Sequence, residues 1–409
     1  MKVLHTSDWH LGRSLYGRRR HDEFAEFLDW LAEHIEHEQI DLLLIAGDVF
    51  DTTSPGNHAQ ELYYSFLCRI AHSVACRQVV VIGGNHDSPS FLNAPKALLG
   101  ALRVHVVGAI NTGNPDDEIV VCRNAAGDPE AIVCAVPYLR DRDIRQAEAG
   151  ESIDDKRAKL AEGYRAHYSN IGNRAEAARG DRDLPIIGMG HCFAAGGTTV
   201  ADDGVRDLNV GSLDQVEAAA FPACFDYLAL GHLHVPQRVA HSDTMRYCGS
   251  PIPMGFGEAN QQKLVLEIDF EGRAPTVTEI SVPCFQPLRR IAGTLDEILE
   301  ALKQLTLERS TAWIEIEYTG DEIVPDLRDQ VEAAIDGTNL EIRRIKNRRV
   351  IDRVLQRIDT AETLDDLEPT DVFARCLEAH AIPYGQRPEL TAAYAEILQT
   401  HAEGDIHAE

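Results

Sequence analysis

Side chains able to hold a metal ion or move a proton recur in this chain where apolar runs stop. Asp8 and His10 follow the run from Lys2 to Thr6, and Asp48 and Asp51 follow Leu42–Ala46. Asn85, His86 and Asp87 follow Val79–Ile82, His191 follows Pro185–Gly190, and His232 and His234 follow Tyr227–Gly231. As motifs these read D-x-H, G-D-x-x-D, G-N-H-D, G-H and G-H-x-H, in that order. A single Asp or His at a strand end is ordinarily a turn or cap residue. Turn chemistry does not account for five strand ends carrying the same pattern.

Asp8, His10, Asp48, Asn85, His191, His232 and His234 offer carboxylate, imidazole and amide donors. That mixture suits borderline divalent ions such as Mn²⁺, Fe²⁺ or Zn²⁺ and lacks the thiolates of a structural zinc site. Seven donors exceed the needs of one ion. With one carboxylate bridging, they suit two ions about 3.5–4 Å apart, the spacing used for in-line phosphoryl displacement. The members of D-x-H and H-x-H are two residues apart, so an extended chain would turn both to one side.

The elements that must present these residues alternate in type. Lys2 to Thr6 reads as a strand. A helix follows, with Phe24, Phe27, Leu28, Leu31 and Ile35 on one apolar face. Then come a strand at 41–46, a helix at 57–72 and a β-branched strand ending at Gly83-Gly84, where a tight turn brings backbone close to something bound. This alternation predicts α/β layering, with the donors outside the carboxyl ends of the strands. From Val104 to Val282 short strands predominate, with a surface helix expected over 154–170 and a charged loop over 173–183. The fold class expected for 1–283 is thus α/β, a two-sheet β-sandwich flanked by helices. Pro283 to Pro287 marks a boundary. Residues 284–350 read as a small α+β capping domain, and 351–409 as a C-terminal helical tail with helices near 370–381 and 388–400.

The segments HTSDWHLG (5–12), AGDVFDTTSP (46–55), GGNHDSP (83–89), GHLH (231–234) and YCGSPIPMGF (247–256) resemble the calcineurin-like metallophosphoesterases. Within them they resemble the Mre11-like branch that includes the bacterial SbcD nucleases, and the resemblance extends over most of the chain. It implies that Asp8, His10 and His234 hold one ion, that Asn85, His191 and His232 hold a second, and that Asp48 bridges them. It further implies attack on a phosphodiester by a solvent hydroxide whose pKa the metals lower, with Mn²⁺ as the usual ion. The family's counterpart of His86 is not a ligand; it stabilises phosphate charge or protonates the leaving oxygen. Asp51 is a candidate to orient His86, and Asp87 to shape the turn. The resemblance also implies DNA ends and hairpins as substrates, a homodimer, and an SbcC-like SMC ATPase bound through the C-terminal helices (351–409).

Arg13, Arg18, Arg19 and Arg20 form a basic loop that either touches DNA phosphates or is solvated. The six basic residues from Arg343 to Arg353 face DNA or a partner, or form a charged linker. The loop Gly196–Thr199 is a candidate for lining the site. His5 is expected to be a packed strand residue, and His21, His34, His37, His58 and His72 lie in or beside helices without useful partners.

The net charge of −27 excludes a general electrostatic glue for nucleic acid. Any DNA contact must be local, or metal and a partner must supply positive charge. Nine separate cysteines and an N-terminus that enters a strand directly imply a reducing, cytoplasmic setting without a membrane span. Two alternatives stand beside the nuclease. One is a phosphomonoesterase or small-molecule phosphodiesterase of the same superfamily, which Thr52 disfavours because its protein phosphatases typically carry Arg there. The other is a non-catalytic assembly subunit, which the complete donor set disfavours.

Overall fold

The computed structural model describes residues 1–347 except 112, 147, 149–150, 195–215, 321 and 323; beyond 347 it describes 373–374, 377, 387–388, 390–391 and 394. It divides into two compact units, Met1–Leu288 and Arg289–Glu409.

The first unit begins β1 (Lys2–Thr6), β2 (Ser14–Leu15), β3 (Arg18–Arg19), α1 (His21–Glu38), β4 (Leu42–Ala46), α2 (Asn57–Ala71) and β5 (Gln78–Ile82). It continues α3 (Pro89–Asn93), α4 (Lys96–Ala101), β6 (Val104–Val107), β7 (Ile119–Arg123), β8 (Pro129–Ala135), α5 (Asp141–Ile144) and α6 (Ile153–Arg179). It closes with β9 (Ile186–His191), β10 (Tyr227–Gly231), β11 (Gln237–Arg238), β12 (Met245–Tyr247), β13 (Leu264–Glu271) and β14 (Ala274–Ser281). One six-stranded sheet runs β14-β13-β1-β4-β5-β6 and another β11-β12-β10-β9-β8-β7.

Three apolar layers hold the sheets in an αββα stack. Val3, Leu42, Leu44, Val80 and Ile82 of the first sheet pack against Val133, Ile187, Met189 and Ala229 of the second. The alternate residues Leu4, Leu43, Ile45, Val79 and Val81 face outward to α1 and α2, meeting Phe24, Phe27, Leu31, Tyr63 and Leu67. Tyr164, Tyr168, Ile171 and Ala175 of α6 cover the outer face of the second sheet. Both faces of the central strands are therefore buried, which is why their sequences run apolar without alternation.

Helix α6 is longer than the sequence reading. Residues 173–179 continue it, instead of forming a charged loop, because Ala175 packs on the sheet while Asn173 and Glu176 face solvent. Ala is also the best helix former. The helix starts with a Ser152–Asp155 capping box and stops at Gly180, whose φ is 57°.

The second unit has β15 (Leu288–Gly293), α7 (Leu295–Leu307), β16 (Trp313–Tyr318), α8 (Leu327–Ala334) and β17 (Glu341–Asn347), with sheet order β15-β16-β17. Its own core contains Ile298, Leu302, Ile314, Ile316 and Val331. Of the basic run from Arg343, the described residues face acids: Arg344 and Lys346 lie 3.4 and 3.2 Å from buried Glu315. Arg348 to Arg353 lie outside the described residues, as does Gly196–Thr199. The helices expected over 370–381 and 388–400 lie mostly outside them too; within those spans Phe373 stacks on Tyr394 at 4.1 Å between ring centroids. No helix among the described residues is long and apolar enough to cross a membrane.

Candidate metal centre

β1 pairs in parallel with β4, β4 with β5, and β9 with β10, so the donors leave five carboxyl ends in two facing sheets. The chain does not present the paired donors in extended form, as their spacing suggested. β1 stops at Thr6 and β10 at Gly231, and the donors sit in the turns beyond. Asp8, His10, Asp48 and His232 have φ of 53°, 48°, 48° and 104°, a region L-residues seldom adopt. Such strain costs about 1–3 kcal/mol per residue and persists only where the surroundings over-determine it. Here the main-chain N–H groups of Asp8 and His10 donate to Gly47 O and Asp48 O, both at 3.0 Å. The His232 N–H donates to the two carboxylate oxygens of Asp8 at 2.9 and 3.1 Å.

Two glycines are required by proximity. A Cβ on Gly84 would lie 2.1 Å from Asp48 Oδ1, and one on Gly231 would lie 1.9 Å from Ala46 O. The backbone that the GGNHD glycines bring close is thus packed on the Asp48 carboxylate.

The side chains form two joined groups. Asp8, His10 and His234 each offer a donor atom within 4.8 Å of the others, and so do Asp48, His191 and His232. His10 Nε2 faces His234 Nε2 at 3.1 Å. Asn85 Oδ1 lies 3.0 Å from both His191 Nε2 and His232 Nδ1. Asp48 Oδ2 links the groups, 3.7 Å from His10 Nε2 and 3.3 Å from His191 Nε2. Every donor except half-buried Asn85 is buried.

This arrangement fits cations. His191 Nδ1 donates to Ala46 O at 2.9 Å, which leaves Nε2 as the ligating atom. In the neutral ring Nε2 points its lone pair at oxygen lone pairs of Asn85 and Asp48, so the contact needs positive charge between the atoms, supplied by a proton on Nε2 or by a cation in its place. Electrostatics agree. Burial pushes the Asp8 carboxyl above the usual range and takes His10 down to about 4 and His232 down to about 3. Burial also opposes ionisation of Asp48, but its histidine neighbours, His191 foremost, hold it well below the usual range. His191 is likewise opposed by burial yet is raised to about 9 by that carboxylate. Buried carboxylates beside imidazoles held neutral at His10 and His232 suit a divalent ion, which would replace the proton that Asp48 holds on His191.

His86 lies beside this set, within reach of His10 and Asp48 as well. Its Nδ1 donates to the main-chain oxygen of Asp51 at 2.8 Å, and its main-chain N–H donates to Asp48 Oδ1 at 2.8 Å. The Asp51 carboxylate therefore does not orient His86. It faces His10 Nδ1 at 3.4 Å and Arg13 Nη1 at 3.1 Å. Burial opposes its ionisation, yet its pKa falls to about 2 because of His10 first and Arg13 next. Asp87 accepts from the main-chain N–H groups of Val49, Phe50 and Gly84, tying the turns after β4 and β5 together.

The basic loop divides. Arg18 and Arg19 are exposed on the β2–β3 hairpin, and Arg13 is half-buried beside the site. Arg20 is not available to DNA: it is 2% exposed, with Nε and Nη2 on the Glu23 carboxylate at 2.7 and 2.8 Å and Nη1 on Pro253 O at 2.7 Å. A guanidinium so fully paired is structural. His5 is a packed residue, its Nδ1 2.9 Å from Tyr227 Oη.

Sequence reasoning missed the residues behind the donors. Ser7 Oγ donates to the Asp8 carboxylate and lies 3.1 Å from Cys248 Sγ. Glu258 Oε1 faces His234 Nδ1 at 3.5 Å. The only signal was the CGSPIPMGF segment, conspicuous as wording but without donor spacing.

Residues 1–236 match the family described as calcineurin-like phosphoesterase, and 284–381 match one described as type 5 capsule protein repressor C-terminal domain, SbcD_C. The chain is 35% identical to SbcD, the D component of nuclease SbcCD, from Escherichia coli (strain K12), over 98% of this chain and 99% of that one. It is 35% identical to the Rhodobacter capsulatus protein of the same name over 84% of this chain and 86% of that one. For the Bacillus subtilis protein the identity is 34%, over 78% of each. The buried Asp–His–Asn centre thus stands at the carboxyl ends of a sandwich, in a chain that matches the Escherichia coli protein nearly end to end, and the chain belongs to the calcineurin-like phosphoesterases, in their SbcD branch.

Proposed function

We propose that this chain is the Mn²⁺-dependent nuclease subunit of a DNA end-processing complex. It acts on phosphodiester bonds at duplex ends and in hairpins, as a homodimer with an SbcC-like SMC ATPase. The observation that carries the reading is Asp48 Oδ2 set between His10 Nε2 and His191 Nε2, which joins two donor groups into a site for two ions. The names of the relatives support a nuclease that acts in a complex with a second subunit, and the family resemblance supplies the DNA ends, the hairpins and the ATPase.

Asp8, His10 and His234 would hold one ion and Asn85, His191 and His232 the other, with Asp48 shared. Two divalent ions supply Lewis acidity at phosphoryl oxygens and acidify water. The chain's own residues do the rest. Ala46 O holds His191 by Nδ1 and the Asp51 carboxylate faces His10 Nδ1 at 3.4 Å, an arrangement that leaves Nε2 of both rings for the ions. With Nδ1 committed to Asp51 O, His86 keeps Nε2 for proton exchange with the leaving oxygen or for contact with phosphate charge. Arg13 sits where it can meet a backbone phosphate next to the site.

Incubation of the Mn²⁺-loaded protein and its ATPase partner with hairpin DNA and, separately, with p-nitrophenyl phosphate tests the reading. Cleavage of the hairpin is expected. Monoester hydrolysis with intact DNA would replace the nuclease by a phosphomonoesterase.

A further inference from the structure

The CGSPIPMGF segment contributes none of the seven donors, yet it and the residues just past it run behind two of them, Asp8 and His234. Cys248 touches Ser7, which donates to Asp8. Pro253 O is clamped by the buried Arg20–Glu23 pair. Two residues past the segment, Glu258 is fully buried and meets His234.

The contacts of Glu258 are divided between its oxygens. Oε2 accepts from Lys263 Nζ, from Met254 N–H at 3.0 Å and from Ser250 Oγ at 3.3 Å. Oε1 is buried with no hydrogen-bond partner among the described residues and faces His234 Nδ1 at 3.5 Å. Lys263 is 4% exposed, and its Nζ also donates to His234 O at 3.1 Å. The pair therefore meets His234 twice, with the Glu258 carboxylate facing the ring at 3.5 Å and Lys263 donating to the main chain.

A buried ion pair contributes little net stability, and apolar residues of similar volume often do as well. The placement on one histidine calls for another role. A carboxylate at Nδ1 fixes the ring tautomer and leaves Nε2 for a metal, as outer partners of ligating histidines do. Nε2 of His234 is the atom that meets His10 Nε2 at 3.1 Å.

We propose that Glu258, held by Lys263, is the positioning residue for His234 and sets the affinity of the ion shared by Asp8, His10 and His234, without bearing on the ion at Asn85, His191 and His232. This rests on the two-ion reading of the site. Glu258 lies 24 positions after His234, beyond β11 and β12, so no periodicity exposes the pair.

The test is Mn²⁺ titration of the full-length chain, followed by calorimetry and by electron paramagnetic resonance, which separates an exchange-coupled Mn²⁺ pair from an isolated ion. The unsubstituted chain should take up two coupled ions. The double variant Glu258→Leu/Lys263→Met, which removes both buried charges together, should keep its circular dichroism and bind one of the two ions at least about tenfold more weakly. Its spectrum at limiting Mn²⁺ should be that of an isolated ion. Glu258→Gln keeps an acceptor oxygen toward Nδ1 and should fall between the two; it also serves if the double variant does not fold. Two coupled ions at unchanged affinity in either folded variant would overturn the proposal while leaving the metal site intact. No uptake by the unsubstituted chain would instead remove the two-ion reading, and this proposal with it.

Discussion

At the scale of single residues, the polar tip Asn85-His86-Asp87 divides by what each side chain touches. Asn85 Oδ1 meets two imidazoles, Asp87 accepts three main-chain N–H groups, and His86 is tied through Nδ1 to Asp51 O. Distance alone does not separate His86 from the donors, since it also lies near His10 and Asp48. Replacement does. His86→Ala is expected to keep Mn²⁺ uptake at two per chain while lowering DNA cleavage by about 10²–10⁴-fold, the usual worth of a positioned proton donor. Loss of one ion in that variant would make His86 a ligand; unchanged cleavage would remove its role altogether. Gly84→Ala tests a different residue-scale claim. The new Cβ would stand 2.1 Å from Asp48 Oδ1, against a carboxylate fixed by the main-chain N–H of His86. A thermal or urea unfolding curve should show a loss of about 3 kcal/mol, the upper end of overpacking costs. Weaker metal uptake should accompany it. A variant as stable as the parent would mean that the turn has room the structure denies.

At the scale of elements, the strands were legible and the turns after them were not. Val79–Ile82 and Leu42–Ala46 announce buried parallel strands because both of their faces are apolar, and that property is local to the sequence. Donor types and order are equally local, so the side chains that meet in the site could be collected by reading alone. The left-handed turns at Asp8, His10, Asp48 and His232 are imposed by hydrogen bonds between loops far apart in sequence. For the same reason Arg20 read as a surface arginine and the Asp51 carboxylate as the group that orients His86: the side chains' partners, Glu23 with Pro253 and His10 with Arg13, depend on how loops pack. His86 is held by the Asp51 main-chain oxygen instead. Glu258 had no sequence signal. Gly231 closes β10 directly against Ala46 of β4 in the facing sheet, with room for no Cβ beside Ala46 O. Gly231→Ala should therefore push β10 from β4 and abolish Mn²⁺ uptake while circular dichroism still reports the two sheets. Gly127→Ala is the control, because its Cβ would meet nothing within 4 Å and only its φ of 89° is strained. Equal metal affinity in both variants would show that the sheet-to-sheet contact at Gly231 does not set the site.

At the scale of the whole molecule, charge governs how DNA can be held. The chain carries a net charge of −27, and two divalent ions would offset only four of those charges. Of the basic groups near the site, Arg20 is buried on Glu23, Arg13 is shared with Asp51, and Arg18 and Arg19 are exposed. In the second unit, Arg290, Arg344 and Lys346 lie against Glu315. Protein that neutralises phosphates releases counterions, and the logarithm of its affinity falls with the logarithm of salt by about 0.9 per phosphate on duplex DNA. A chain with a few local arginines should thus show a shallow slope, on the order of two to three, and weak binding when tested alone. Adding the ATPase partner should steepen the slope, since the added phosphate contacts belong to that surface. Fluorescence anisotropy with a duplex end, at several salt concentrations and with Mn²⁺ throughout, measures both slopes. Substituting Arg18 and Arg19 together by Ala should lower the slope of the isolated chain by about two and leave Mn²⁺ uptake unchanged. A steep slope for the isolated chain, untouched by that double substitution, would place the DNA on some other surface and detach the basic loop from the site it borders.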